Sequence, residues 1–283
     1  MAQWHYTRDQ LIDAIHAVGI GAGDVVSIQV SLGRLGLPKD VPASVAAVSR
    51  FIVDVFLEVV GDGGTLIVPT YTYSIGRGER FEVETTPSGI GEFTELFRQR
   101  EGVIRSRDPM LSSAGLGPRA ADVLRTISRS CYGEGSTYHR LREVNAKICT
   151  LGLGHYWATF RHHIEEMAEV PFRFRKRFHG IVRERGVDSA ETWVYYAAPL
   201  VDCCRPHGLP LEQLARAAGA LSVAPVGRSE IMSIGAPEFF AFGLQALRQN
   251  PWLTAKGPVA PTEEIFRNEP QWFAAQVADR GLQ

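Results

Sequence analysis

Asp24-Val25-Val26-Ser27-Ile28-Gln29-Val30 opens a segment that closes at Thr65-Leu66-Ile67-Val68-Pro69. The first piece is rich in β-branched residues and stops at a Ser31-Leu32-Gly33 turn, so it reads as a strand. Between the two pieces, Val45, Val48, Phe51, Ile52, Val55 and Val59 recur at helical spacing from Pro42 to Val60. Gly61-Asp62-Gly63-Gly64 ends that helix, and the short apolar run after it reads as a second strand. Strand, helix and strand in this order make a βαβ unit, which favours a parallel sheet with a right-handed crossover.

Working outward, Thr7-Arg8-Asp9-Gln10 is a capping box ahead of Leu11, Ile12, Ile15 and Val18, with Gly19 as the stop. Downstream, the pattern gives a helix from Arg119 to Ile127, a buried strand at Ile148-Cys149-Thr150-Leu151 and a helix from Trp157 to Glu169. A strand follows at Thr192-Trp193-Val194-Tyr195-Tyr196, then helices at Leu211 to Ala218 and Pro237 to Gln249. A last helix is read from Pro261 to Val277, broken near Pro270. No repeat, low-complexity tract or long linker divides the chain. The expected fold is α/β: a single layered α/β/α domain over residues 1–283 with a central, mostly parallel or mixed sheet. Tyr71 to Gly91 and Arg105 to Gly117 read as loops, where function concentrates on such a scaffold.

The 283 residues are 45% apolar and 22% charged, enough to bury a core without metals or disulfides. Thirty basic against 31 acidic residues leave a charge of −1, so no global field favours nucleic acid or anionic lipid as a partner. Cys131, Cys149, Cys203 and Cys204 are too few for a disulfide scaffold and form no CxxC pair, which points to reduced thiols. The N-terminus has no apolar core of a secretory signal. The longest greasy run, Phe51 to Val60, contains Asp54 and Glu58 and is too short for a bilayer. A soluble, cytoplasmic monomer or homodimer is expected.

Thr159-Phe160-Arg161-His162-His163-Ile164-Glu165-Glu166 is the sharpest local feature. On a helix, Glu165 and Glu166 lie at i+3 and i+4 of His162, so a carboxylate reaches the imidazole. A carboxylate that fixes the tautomer of a histidine makes it a general base. A solvated charged face is the plain alternative, and ligation of a metal the third. No GxSxG serine motif and no catalytic cysteine context is present. Gly152-Leu153-Gly154 lacks the third glycine of a dinucleotide loop. The run Pro171-Phe172-Arg173-Phe174-Arg175-Lys176-Arg177-Phe178-His179 suits either a phosphate site or a half-buried strand with one basic face.

An ordered series of short motifs gives the chain a family likeness. It runs through Ser31-Leu32 with Gly36, Gly63-Gly64-Thr65-Leu66, Val68-Pro69-Thr70-Tyr71-Thr72, and Thr86-Pro87-Ser88 with Gly91, Glu95 and Phe97-Arg98. Gly102-Val103, Arg105-Ser106, Pro109, Ser113-Ala114, Gly117, Gly135-Ser136 and Leu151-Gly152 continue it. Thr159-x-x-His162-x-x-Glu165 and Val170-Pro171-Phe172-Arg173 close it. Together these resemble the aminoglycoside 3-N-acetyltransferase family, antibiotic acetyltransferases unrelated in fold to the GNAT enzymes. The likeness is good over residues 20–180 and loose beyond.

The resemblance implies direct transfer of an acetyl or other acyl group from acyl-CoA to an amine of an amino sugar or aminoglycoside-like acceptor, without a metal. It places catalysis on His162 and Glu165. Contacts to acyl-CoA would fall on Ser31, Leu32, Gly33, Arg105, Ser106 and Ser113, and contacts to the amine on Thr70, Tyr71, Asp108 and Glu166. Two departures stand out. Gln29 lies where the family commonly has the histidine of His-Ser-Ser-Leu, and Asp108 where it has that of Arg-Ser-x-His-Pro. Asp108 could instead pair with a cationic amine. A metal-dependent hydrolase built on His162, Glu166 and Asp108, or a non-catalytic CoA-binding relative, are the competing functions.

Overall fold

The computed structural model describes residues 4–257. Helix α1 (Arg8–Ala17) starts at the capping box: Thr7 Oγ1 accepts from Gln10 N at 3.2 Å, and Gln10 Oε1 accepts from Thr7 N at 2.9 Å. Strand β1 (Val25–Val30) is followed not by a plain turn but by one helical turn, α2 (Leu32–Leu35). Helix α3 (Val45–Val60) carries the apolar stripe and delivers the chain to β2 (Thr65–Pro69). β1 and β2 pair in parallel, Val25 opposite Thr65, as the βαβ reading requires.

The loop-like stretches hold short elements of their own. These are β3 (Phe81–Glu82), β4 (Ile104–Arg105) and β5 (Ser113–Leu116), with α4 (Glu92–Arg98) between the stretches. Then come α5 (Ala120–Leu124), α6 (Thr137–Glu143) and β6 (Lys147–Leu151). The helix read from Trp157 to Glu169 is shorter in fact: a 3-10 turn at His155–Trp157 precedes α7 (Arg161–Met167). Strands β7 (Phe174–Glu184) and β8 (Val187–Ala197) form a long hairpin, in which the basic run is a half-buried strand. Its Arg175, Arg177 and His179 face solvent while Phe178 is buried. Helix α8 (Leu209–Ala217), β9 (Ser222–Val226), β10 (Ser229–Gly235) and α9 (Ala236–Gln249) complete the fold. The helix read from Pro261 lies outside the described residues.

The main sheet has seven strands in the order β4-β5-β2-β1-β6-β10-β9. Its centre is parallel (β2, β1, β6), and both flanks are antiparallel, so the sheet is mixed. The pleat sends Val25, Ile67 and Ile148 into one core with α5 to α9, and Val26, Ile28, Leu66, Val68 and Leu151 into another with α1 and α3. The layered α/β/α arrangement follows from those two greasy faces. A second, three-stranded sheet, β3-β7-β8, adds Phe178, Trp193 and Tyr196 to the first core. All four cysteines are free, and no helix among the described residues is long and apolar enough to cross a membrane.

One topological detail positions the site. From β1 the chain crosses to β2 on one side, and β6 later inserts on the other side of β1. Where the strand order reverses, the connections leave on opposite faces, and a crevice opens at the carboxyl ends of the strands.

Candidate functional site

That crevice holds a cavity of about 460 Å³. Ile28, Gln29 and Val30 of β1, Pro69 of β2 and Leu153 beyond β6 form its strand wall, and Arg161 and His162 of α7 face them. Tyr71, Tyr73, Tyr132, Tyr156 and Tyr195 supply aromatic surface. Tyr71 Oη lies 2.6 Å from Tyr138 Oη, and Tyr132 Oη donates to Tyr195 Oη at 3.3 Å. Tyr73 adopts a left-handed backbone (φ 55°) beside the cavity, a conformation uncommon for a bulky residue. Gln29 accepts from Thr159 N at 2.9 Å through Oε1. It thereby ties the end of β1 to the segment that leads into α7.

His162 and Glu165 meet as one helical turn dictates, with Nδ1 to Oε2 at 2.6 Å. Glu165 is fully buried and also faces Arg161 Nε at 3.1 Å and Arg173 Nε at 2.7 Å. Burial alone would raise its pKa, but the charges of Arg173, His162 and Arg161 outweigh it and hold the carboxyl far below its usual range. An ionised carboxylate at that distance assigns the proton to Nδ1 and leaves the lone pair on Nε2. A nearby carboxylate such as Glu165 should raise the basicity of His162. It does pull in that direction, yet burial and the Arg173 guanidinium prevail and push the imidazole down to about 4. His162 is therefore neutral at neutral pH.

The other residues assigned to ligands by resemblance divide sharply. Tyr71 lines the cavity, and Ser31, Leu32 and Gly33 directly follow its strand wall. Thr70, Arg105, Ser106, Asp108, Ser113 and Glu166 do not line it, and their polar atoms bond within the fold. Thr70 Oγ1 donates to Ser112 O at 3.2 Å, and Ser106 Oγ accepts from Ser113 N at 3.0 Å. Arg105 donates to Thr70 O at 2.8 Å and Thr86 O at 2.5 Å, clamping the end of β2 to the following loop. It borders a separate cavity of about 740 Å³, and burial with the nearby Arg98 charge lowers it to about 9. Glu166 accepts from Arg175 Nε at 2.9 Å. His162, Glu166 and Asp108 thus hold different partners, and among the described residues no three His, Cys, Asp or Glu side chains form a metal-ligand group.

Asp108 forms a turn. It is buried, and its Oδ1 accepts from Met110 N at 2.8 Å and Leu111 N at 2.9 Å. Asp108→Ala orphans two buried N–H groups, so a loss of about 1–3 kcal/mol is expected, read as a Tm several degrees lower. Steady-state constants measured on the folded variant should stay at the parent values. An unchanged Tm with a raised KM for the amine would return Asp108 to the substrate.

Arg173, Gln29, Tyr73, Tyr132 and Tyr195 were not legible as wall residues. Arg173 carries one signal, its place just before the basic strand, close behind the His162 helix. The tyrosines come from two separate connections and from β8, and no spacing in the sequence unites them.

Three histidines share the neutral state. His155, His162 and His163 are each pushed down to about 4, chiefly by burial. Unfolded, they would titrate near 6.5, so between pH 6.5 and 4 the unfolded chain binds more protons and stability falls with falling pH. Asp108, pushed up to about 6 by burial, acts in the opposite sense below pH 6, with one proton against three. A Tm that drops steadily from pH 7 to 5 is the expected thermal-melt result. A Tm that rises on acidification would contradict it.

The family model described as aminoglycoside 3-N-acetyltransferase matches residues 40–248. Aminoglycoside N(3)-acetyltransferase VII of Streptomyces paromomycinus is 28% identical over 209 residues, covering 66% of this chain and 68% of that one. The corresponding enzyme VIII of Streptomyces fradiae is 27% identical over 207 residues, with 66% and 69% covered. Among solved structures, AAC-IIIb in a binary complex with CoASH superposes with a TM-score of 0.73 at 21% identity, covering 89% of this chain and 99% of that one. Aminoglycoside acetyltransferase AAC(3)-IVa, as apoenzyme, gives 0.74 at 21% identity over 93% and 96%.

Proposed function

The chain belongs to the aminoglycoside 3-N-acetyltransferase family, and from that premise we propose that it transfers the acetyl group of acetyl-CoA to an amine of an amino sugar or aminoglycoside-type acceptor, with His162 as the base. The observation that carries the reading is the His162–Glu165 pair on the wall of the switch-point cavity. Thioester and amine meet there. The amine nitrogen attacks the thioester carbonyl carbon, and its pKa falls as the C–N bond forms. His162 Nε2 takes the proton at that stage, so a base with a lowered pKa suffices. Collapse of the tetrahedral intermediate breaks the C–S bond, and the CoA thiolate recovers the proton from the imidazolium.

Glu165 supports the imidazolium while it exists and keeps the proton of the resting imidazole on Nδ1. The pantetheine arm lies along Val30 to Gly33, where backbone groups at the start of α2 suit its amides. No acyl-enzyme is needed, in keeping with the missing nucleophile motif. Residues 1–283 act as a single domain in this reading.

Thiol release from acetyl-CoA, followed with a panel of amines and with mass detection of the N-acetyl product, tests the proposal. Release dependent on both amine and His162 supports it. CoA binding without release under any amine would favour a silent CoA-binding relative.

A further inference from the structure

On the reading that acceptor and thioester meet in the His162 cavity, we infer that the acceptor is an amine carrying an anionic group, a carboxylate or a phosphoryl, and not a polycation. The charge of the wall carries this. Arg161 and Arg173 line the cavity, and among the described residues no Asp or Glu side chain does. Their shared counter-ion, Glu165, is buried behind them, so with His162 neutral the group is net positive.

The two guanidiniums differ in what they leave open. Arg173 uses Nε on Glu165, donates to Tyr196 O through Nη1 at 3.1 Å, and places Nη2 3.0 Å from His162 Nδ1. Arg161 uses Nε on Glu165 and donates to Tyr156 O through Nη1 at 3.0 Å. Its Nη2 has no acceptor among the described residues. A carboxylate or phosphoryl oxygen is the ligand such an edge takes, in a charge-assisted hydrogen bond.

A positive wall acts on an acceptor in two ways. It disfavours an ammonium at the reacting position, so a single amine arrives as the nucleophilic free base. A molecule with several ammonium groups meets the same repulsion at each, with no carboxylate of the described wall to receive them. An anion elsewhere on the acceptor offsets that repulsion and fixes orientation, while the tyrosines cover the sugar faces.

The test uses acceptors that share one amine. Glucosamine, glucosamine 6-phosphate and muramic acid are compared as substrates with acetyl-CoA, with sisomicin as the polycation. The expected result is a kcat/KM for the phosphate or the carboxylate acceptor about tenfold above glucosamine and above sisomicin. The advantage should shrink in ~0.5 M salt, and it should vanish in Arg161→Gln. The ratio between acceptors is read within each protein, so a general loss of activity or stability in that variant does not enter it. Whichever anionic acceptor leads identifies the group.

Sisomicin as the best acceptor, or glucosamine equal to both anionic acceptors, overturns the inference while leaving the acetyltransferase reading intact. So does an Arg161→Gln protein whose acceptor ratio is unchanged and whose KM for acetyl-CoA rises, since the guanidinium would then serve the CoA phosphates. Absence of thiol release with all four acceptors counts against both readings.

Discussion

His162→Ala should lower kcat by about 10²- to 10⁴-fold while acetyl-CoA still binds, the usual worth of a positioned base. The structure explains why the loss would be confined to chemistry. The imidazole meets the cavity at one edge and Glu165 at the other, and its side chain is 17% exposed, so its removal empties wall space without opening the core. His163, its neighbour, is a control. It is fully buried, donates to Tyr132 O through Nδ1 at 2.6 Å, and lies against Phe160 and Phe240. His163→Ala is expected to cost stability while leaving the kcat of the folded protein near the parent value. Stopped-flow or steady-state thiol release separates the two variants. A His162→Ala enzyme with kcat within threefold of the parent removes this residue from the proton transfer.

The second large effect is on stability. Glu165 is the buried anion between Arg161 and Arg173, and Glu165→Gln leaves both guanidiniums without their counter-charge. Removing one partner of a buried pair costs about 3–5 kcal/mol. For a chain of this size that corresponds to a Tm lower by roughly 6–20 °C. Adding Arg173→Met should restore part of the loss, because the remaining cation is then single, and a double-mutant cycle measures the coupling. Assayed well below its Tm, Glu165→Gln should keep more kcat than His162→Ala, since the imidazole survives. With the arginines unopposed, His162 loses a proton more easily still, and the acidic limb of kcat/KM moves to lower pH. A Tm within two degrees of the parent would show that the three side chains are not an energetic unit.

The sequence made the centre of the fold legible for a physical reason: α1, α3, β1, β2 and β6 are written in local patterns, caps and apolar periods. β10 and β9 were missed because Pro225 and Gly227 break the alternation. Pro225 is tolerated there because β9 is an edge strand, which a sequence reading cannot know in advance. β3, β4 and β5 have two to four residues each, too few for a period to show. In the site, His162 and Glu165 were legible because three residues on one helix is a local distance. Burial and, after it, Arg173 reverse the net effect on the His162 proton, and both arise only through the tertiary fold. Asp108, Ser106 and Ser113, to which the order of motifs gives ligand roles, hold loop geometry through buried hydrogen bonds.

The place of β10 in the sheet has a consequence during synthesis. β6 lies inside the sheet, next to its central strand, with β1 on one edge and β10 on the other, yet β10 follows β6 by roughly eighty residues of chain. At ~5–20 residues per second, a nascent chain that has already paired β6 with β1 waits about 4–16 s for its other neighbour. Through that interval the outer edge of β6 offers bare N–H and C=O groups on a strand made of Lys147-Ile148-Cys149-Thr150-Leu151, the kind of edge that recruits another chain. The β7–β8 hairpin is made in the same interval and pairs with itself and β3, not with that edge. Crowded overexpression therefore threatens this protein at one definable strand, before its last third has left the ribosome.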